Sequence, residues 1–265
     1  MKILISNDDG IYAQGIYELA TELRKIADVT VVAPLTEQSA IGHAITMKTP
    51  LRVTKCFKHK EFFGYSVSGT PADCIKMGIK NILKERPDIV VSGINHGSNT
   101  AVSILYSGTV SAAREAAIMD IPAIAISITD HHPQYFEAAA KIAANLCKLV
   151  LKNGIRKGTL LNVNVPNLPE EKLKGIRITK QGKSKWADSY VERIDTFGEK
   201  YYWLTGNLIE VDTSLEQDQF AVTSGYASIT PVHFDVTDYD SFDQMQNWNL
   251  DSLGIKKNLE TVTKQ

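Results

Sequence analysis

With 265 residues, 43% hydrophobic and 22% charged, the chain has the make-up of a soluble globule, long enough for one large α/β domain with an appendage. A formal net charge of -1 gives no field for gripping nucleic-acid polymers or a membrane surface. No stretch approaches the roughly 20 apolar residues of a membrane span. The first residues carry no charged-then-apolar signal pattern, and Cys56, Cys74 and Cys147 lack metal-ligand spacing and are odd in number. Packed thiols in a reducing, cytoplasmic compartment are the expectation.

The chain opens on the apolar run Ile3-Leu4-Ile5, which ends in Ser6-Asn7-Asp8-Asp9-Gly10. This reads as a short buried strand with two carboxylates just past its carboxyl end. Ile16, Leu19, Ala20, Leu23 and Ile26 then recur at helical spacing, and residues 28–33 form a second buried strand before Pro34. Such strand–helix–strand alternation predicts a right-handed crossover and a parallel sheet. Residues 35–50 are polar, irregular and longer than an ordinary connection, which marks a functional loop. Alternation over residues 51–67 predicts a hairpin or edge strands.

Thr70-Pro71-Ala72-Asp73 has the form of a capped helix start. Residues 88–92 give a further strand, ending in the turn Gly93-Ile94-Asn95-His96-Gly97-Ser98-Asn99. Tyr106-Ser107-Gly108-Thr109 precedes an alanine-rich helix over residues 110–119. A strand over 121–127, a long helix stopped by Gly154 and a strand over 160–165 complete the alternation. Beyond residue 166 the pattern loosens. Residues 176–180 and 200–205 read as exposed strands, with little apolar periodicity between them. Phe220, Val222 and residues 226–230 read as a return to the main sheet. A terminal helix over 241–250 and a polar tail follow. One core over residues 1–166 and 215–232 is expected, with a projecting arm over 175–210 and a carboxy-terminal segment over 233–265.

In a parallel sheet all strands end on one edge, so Asp8, Asp9, Ser39 and Asn95 are expected to meet there, where open α/β sheets bind ligands. Adjacent carboxylates repel, and no Lys or Arg lies near in sequence to balance them. A single divalent cation, Mg²⁺ or Mn²⁺, suits such a set: two hard anionic ligands, a hydroxyl and an amide carbonyl, with water filling the remainder. The ordinary alternatives are a helix cap for the acids and turn roles for Ser39 and Asn95. Ser107-Gly108-Thr109 is an N-cap that also suits an oxyanion, because free N–H groups and the helix dipole face outward there. His43 and His96 are second-rank acid/base candidates, and His131 and His132 read as surface residues. A hard cation beside an anion site predicts phosphate-ester hydrolysis, by metal-activated water or by an aspartate attacking phosphorus.

These residues resemble the stationary-phase survival protein SurE family of metal-dependent nucleotidases. The resemblance is carried by Ile3-Leu4-Ile5-Ser6-Asn7-Asp8-Asp9-Gly10-Ile11, Val32-Ala33-Pro34, Ser68-Gly69-Thr70-Pro71-Ala72-Asp73-Cys74, the turn from Ser92 to Asn99, Tyr106-Ser107-Gly108-Thr109-Val110-Ser111-Ala112-Ala113, and Gly225 with Ser228-Ile229-Thr230-Pro231. It implies a Rossmann-like, three-layer α/β core with a mostly parallel sheet, metal ligands at Asp8, Asp9, Ser39 and Asn95, and a phosphate side formed by Ser107, Gly108 and Thr109 with Asn99 beside it. Asp8 and Asp9 become the catalytic pair and activated water the preferred nucleophile. The implied substrates are nucleoside 5′- and 3′-monophosphates and short polyphosphate. A projecting hairpin and carboxy-terminal segment would serve a homodimer or homotetramer. Members commonly have glycine directly after the loop serine, where Ala40 stands here.

Two other classes fit less well. A phospho-acceptor signalling module needs an aspartate after its third strand and a lysine after its fifth; Asn95 and Thr129-Asp130 stand at those places. A dinucleotide-binding oxidoreductase needs a G-x-G-x-x-G turn after the first strand, which is absent.

Overall fold

The first strand, β1 (Lys2–Ser6), sends its side chains alternately into two cores, as the two-residue period of a strand requires. Ile3 and Ile5 join Ile16, Leu19 and Leu23 of α1 (Gln14–Leu23) and Ala139, Ala143 and Cys147 of α4 (Phe136–Asn153). Leu4 faces the other way, among Cys74 and Ile75 of α2 (Pro71–Met77) and Val110, Ala113 and Ala117 of α3 (Gly108–Ile118). Each fully buried Ile or Leu contributes roughly 1.5–3 kcal/mol, so the two faces hold the helices independently of local propensity. In this computed structural model, residues 1–254 are described.

The sheet is built on β1 with β2 (Asp28–Pro34) and β5 (Ile89–His96) as its parallel neighbours. Strands β6 (Ala123–Ile128) and β7 (Thr159–Val165) continue it in parallel on one side. Across β2 lie β4 (Glu61–Val67), parallel, and β3 (Val53–Lys58), its antiparallel hairpin partner. The far edge is closed by β8 (Ile176–Ile178) and β11 (Ala227–His233), giving the order β3-β4-β2-β1-β5-β6-β7-β11-β8. The expected mostly parallel α/β sheet with helices on both faces is present. Because β1 lies between β2 and β5, the chain's winding reverses there, and the crevice at their carboxyl ends is the natural ligand position.

Residues 185–209 form a separate two-stranded sheet from β9 (Lys185–Ile194) and β10 (Lys200–Ile209). The projecting hairpin that the resemblance implies is present here, although apolar alternation did not mark β9, since a ribbon exposed on both faces has no buried side to impose it. A second difference lies in α5 (Asp218–Thr223), where Phe220 and Val222 sit in a helix, and only β11 returns to the sheet. Strand β5 also runs past the expected turn at Gly93, with its register against β6 shifted between Ser92 and Asn95.

Cys56, Cys74 and Cys147 are free and buried. No helix among the described residues is long and apolar enough to cross a membrane. The chain divides at Phe234, and the following unit contains α6 (Tyr239–Met245), whose first turn is capped by Asp238 accepting from the Ser241 amide at 3.0 Å. Most of the expected polar tail lies outside the described residues.

Candidate functional site

Asn7 closes the turn after β1 by donating from Nδ2 to the Gly10 carbonyl at 3.0 Å. That turn delivers Asp8 to the first turn of α3. The Thr109 hydroxyl donates to Asp8 Oδ1, and the Gly108 and Thr109 amides also draw on the carboxylate. Burial pushes the Asp8 carboxyl up, and these donors pull it back. A Cβ on Gly108 would lie 2.7 Å from Asp8 Cβ, so only glycine lets the helix come this near. Ser107 caps α3, its Oγ accepting from the Val110 amide at 3.1 Å. Neither acid caps α1, whose N-cap is Ala13 with no side-chain bond.

Asp9 has a different environment. Its Oδ2 is buried and has no hydrogen-bond partner among the described residues. Its pKa is pushed up to about 7, first by burial and then by the charges of Asp8 and Glu37, while the His96 amide opposes the rise. Asn95 precedes that amide and is itself buried; it donates from Nδ2 to the Gly97 carbonyl at 2.8 Å. No group of three or more His, Cys, Asp or Glu side chains among the described residues forms a metal cluster. The Asp8, Asp9 and Asn95 set carries two carboxylates and a neutral amide, the composition of a hard-cation site that keeps several waters.

The loop over residues 35–50 is fastened to this edge. The Gln38 amide donates to the Asp8 carbonyl at 2.7 Å and the Gly42 amide to the Tyr106 carbonyl at 2.9 Å. Further along, the Thr46 amide reaches both Asp73 oxygens at 3.1 Å, and the Thr70 hydroxyl reaches the Ala44 carbonyl at 2.7 Å. Ser39 therefore lies one residue from a direct tie to Asp8, but it is exposed and its hydroxyl donates to Glu37. His43 is committed to Glu115 at 2.9 Å, a buried acid also held by Lys76 at 2.5 Å. Burial would raise the Glu115 pKa, yet these two partners hold it below the usual carboxylate range. His96 has a buried Nε2 with no partner among the described residues, and burial holds its imidazole below the ordinary value. His131 and His132 are exposed.

Asn99 is embedded in a network at the ends of β6 and β7. Its amide donates to Asn164 Oδ1 at 2.8 Å and its Nδ2 to Ser127 Oγ at 2.9 Å. Its carbonyl accepts from Asn162 Nδ2 at 2.7 Å and Asn164 Nδ2 at 3.2 Å. The sequence reading missed Glu37, Asn162, Asn164 and Asp218. The asparagines had a signal in hindsight, because two amides alternate within an otherwise apolar strand, Leu160-Leu161-Asn162-Val163-Asn164-Val165. Buried polar side chains in a central strand need partners, and here a neighbouring backbone supplies them.

These features define a class: a wound α/β protein whose acidic site sits at the carboxyl edge, between β1, β5 and the start of α3. Comparison with known proteins narrows it. A family model described as survival protein SurE matches residues 3–188. The chain is 48% identical over 248 residues to the 5′-nucleotidase SurE of Chlorobium phaeobacteroides, spanning 94% of this chain and 96% of that protein. It is 47% identical over 250 residues to the 5′-nucleotidase SurE of Syntrophobacter fumaroxidans, spanning 94% and 100%. The crystal structure of the SurE protein from Aquifex aeolicus superposes with a TM-score of 0.81 at 39% identity, covering 93% of this chain and 98% of that one. The chain belongs to the survival protein SurE family.

Proposed function

We propose that this chain is a phosphomonoesterase that hydrolyses nucleoside 5′-monophosphates to nucleoside and phosphate. One divalent cation, Mg²⁺ or Mn²⁺, would assist. The observation that carries the reading is the buried, unpartnered Oδ2 of Asp9 beside Asp8. An orphaned carboxylate oxygen in a like-charged setting calls for a cation, and the donors present favour a hard one. Asp8 and Asp9 would supply the anionic ligands, Asn95 and Ser39 the neutral ones. Ser39 would have to release Glu37 to do so. When bound, the cation would neutralise phosphoryl oxygens and acidify water, and activated water is the nucleophile assigned here.

The phosphate would lie against the start of α3, with Ser107, Gly108 and Thr109 on one side and Asn99 on the other. Thr109 also orients Asp8, so this turn would serve both the ligand carboxylate and the substrate. By shared chemistry the same site would take 3′-monophosphates and short polyphosphate as further substrates. The exposed Trp186, Tyr190 and Trp203 on the β9–β10 ribbon would bury their apolar surface in a homodimer or homotetramer, with the carboxy-terminal segment assisting.

The test is phosphate release from 5′- and 3′-monophosphates and tripolyphosphate with Mg²⁺, with Mn²⁺ and with chelator. Cation-dependent release from nucleotides is expected. Release that is indifferent to chelator would remove the cation from the mechanism, and no release from any nucleotide would end the reading.

A further inference from the structure

Residues 99–101 are gripped from three directions, and one of them is the base of the β9–β10 ribbon. Asn162 and Asn164 of β7 hold the Asn99 backbone. From α5, Gln219 accepts from the Thr100 hydroxyl at 2.5 Å. The Ala101 amide donates to both Asp218 oxygens, at 3.2 and 3.1 Å, and Ala101 has φ 48°. That left-handed conformation is unfavourable for alanine and persists only where the surroundings dictate it. The ribbon base reaches the same residue: Gln181 Nε2 donates to the Ala101 carbonyl at 3.0 Å, and the Gly182 amide donates to Asp218 Oδ1 at 2.9 Å.

Asp218 is fully buried, and no Lys or Arg is paired with it among the described residues; amides satisfy it instead. Burial raises its pKa and the Ala101, Gly182 and Gln219 amides draw it back. Space around the junction is minimal. A Cβ on Gly182 would lie 2.2 Å from Asp212 Oδ2 and 2.9 Å from Asp218 Oδ1. Asp212 in turn accepts from the Lys183 amide at 2.8 Å and the Ser184 hydroxyl at 2.8 Å, just before β9 begins.

We propose that Asp218 is a positioning residue that couples the base of the β9–β10 ribbon to residues 99–101 of the site, because one buried carboxylate receives amides from both. Displacing the ribbon base withdraws an amide from Asp218, frees the carboxylate to shift, and releases Ala101 from its imposed conformation. Asn99 follows, two residues away. Whatever the ribbon engages, a second copy of this chain being the simplest partner, thereby adjusts the site without touching it. Coupling of this kind is reciprocal in binding, so occupation of the site should also steady the ribbon base.

The consequence for turnover rests on the proposed nucleotidase reading, but the coupling itself is read without turnover. In the full chain, backbone hydrogen exchange is followed in peptides covering residues 99–103 and 181–184, for the parent, Gly182→Ala, Asp218→Asn and the double variant. Gly182→Ala pushes from the ribbon base on Asp212 and on Asp218 Oδ1 without touching residues 99–101, and Asp218→Asn keeps the shape while placing an amide donor opposite an amide. Each single variant is expected to speed exchange by about tenfold at both segments, and the double variant by little more than either. With a nucleoside monophosphate and Mn²⁺, the fall in phosphate release should lie more in kcat than in KM. Faster exchange at 181–184 alone in Gly182→Ala, or effects that simply multiply in the double variant, would overturn the coupling. If Asp218→Asn fails to fold, the Gly182→Ala exchange pattern decides alone. A parent that releases no phosphate while exchange remains coupled sinks the nucleotidase reading and leaves this one standing.

Discussion

Thr109 donates its hydroxyl to Asp8, joining the first turn of α3 to the acid that follows β1, across 101 residues of sequence. The bond fixes one carboxylate oxygen and leaves the partner acid, Asp9, as the one with a bare buried oxygen. Two adjacent aspartates thus acquire different tasks from their surroundings. Thr109→Val keeps the shape and removes the donor, leaving Asp8 buried with one hydrogen bond fewer. On the proposed cation reading, affinity should fall about 10- to 100-fold, the usual loss when a partner of a ligand is removed, while Thr109→Ser stays near the parent. Calorimetric titration with Mn²⁺ measures both, and equal affinities for the Val and parent chains would refute the orienting role.

Asp9 predicts a pH dependence. Its folded pKa is about 7 against an ordinary value of 3.8, so the folded chain holds this proton more tightly than the unfolded chain. Stability from this group is fully present below about pH 4 and is lost as pH rises to 7. Between pH 5 and 7 the loss from this group is about 2 kcal/mol. In chelator, the stability advantage of Asp9→Asn over the parent should therefore grow across that interval. Millimolar Mn²⁺ should stabilise the parent more at pH 8 than at pH 5, since the proton competes for the same oxygen. Denaturant titrations at these pH values check the sign, and a parent that gains on Asp9→Asn as pH rises would contradict it.

Gly108 bears on the same contact from the helix side. Ala at this position would bring its Cβ to 2.7 Å from Asp8 Cβ and 2.9 Å from Oδ2. The Cβ cannot swing away, and the Thr109 hydroxyl holds the carboxylate, so the backbone and Asp8 must shift together. Gly108→Ala is expected to cost about 1–3 kcal/mol, as overpacking generally does. Phosphate release should fall further than stability does, because Asp8 is the group displaced. Thermal unfolding together with nucleotide turnover separates the two effects; an unaltered rate would show that the close approach is dispensable.

The sequence revealed elements whose burial is one-sided and missed those without it. The run Ile3-Leu4-Ile5, the Thr70–Asp73 capping box and the Gly154 stop each carry a local signature, and each is realised. Strand β9 is exposed along its whole length, so no periodicity marked it. Phe220 and Val222 read as extended although they lie in a six-residue helix, because a segment this short offers barely two turns of pattern. The sequence placed Asp8, Asp9 and Asn95 on one sheet edge, and they lie there, at or just past the carboxyl ends of β1 and β5. Asp218, Asn162 and Asn164 act through backbone groups distant in sequence, a relationship that composition and spacing do not encode.

Ala40 provides a last prediction. It has φ 54°, a left-handed conformation that costs a residue with a Cβ roughly 1–2 kcal/mol. It directly follows Ser39 in the loop tied to Asp8 through Gln38. A glycine here would take the conformation without that strain. Ala40→Gly relieves the strain but gives the unfolded chain more freedom, worth about 0.4–1 kcal/mol in the other direction. The net change should be small and favourable, on the order of 0.5 kcal/mol. Ala40→Val adds β-branching to a left-handed position and should destabilise by about 1 kcal/mol or more. Because the strain sits one residue from Ser39, Ala40→Val should also weaken Mn²⁺ binding while Ala40→Gly preserves it. If Val were tolerated as well as Gly in both denaturation and titration, the loop would have no fixed left-handed residue at this position, and Ser39 would not depend on it for placement.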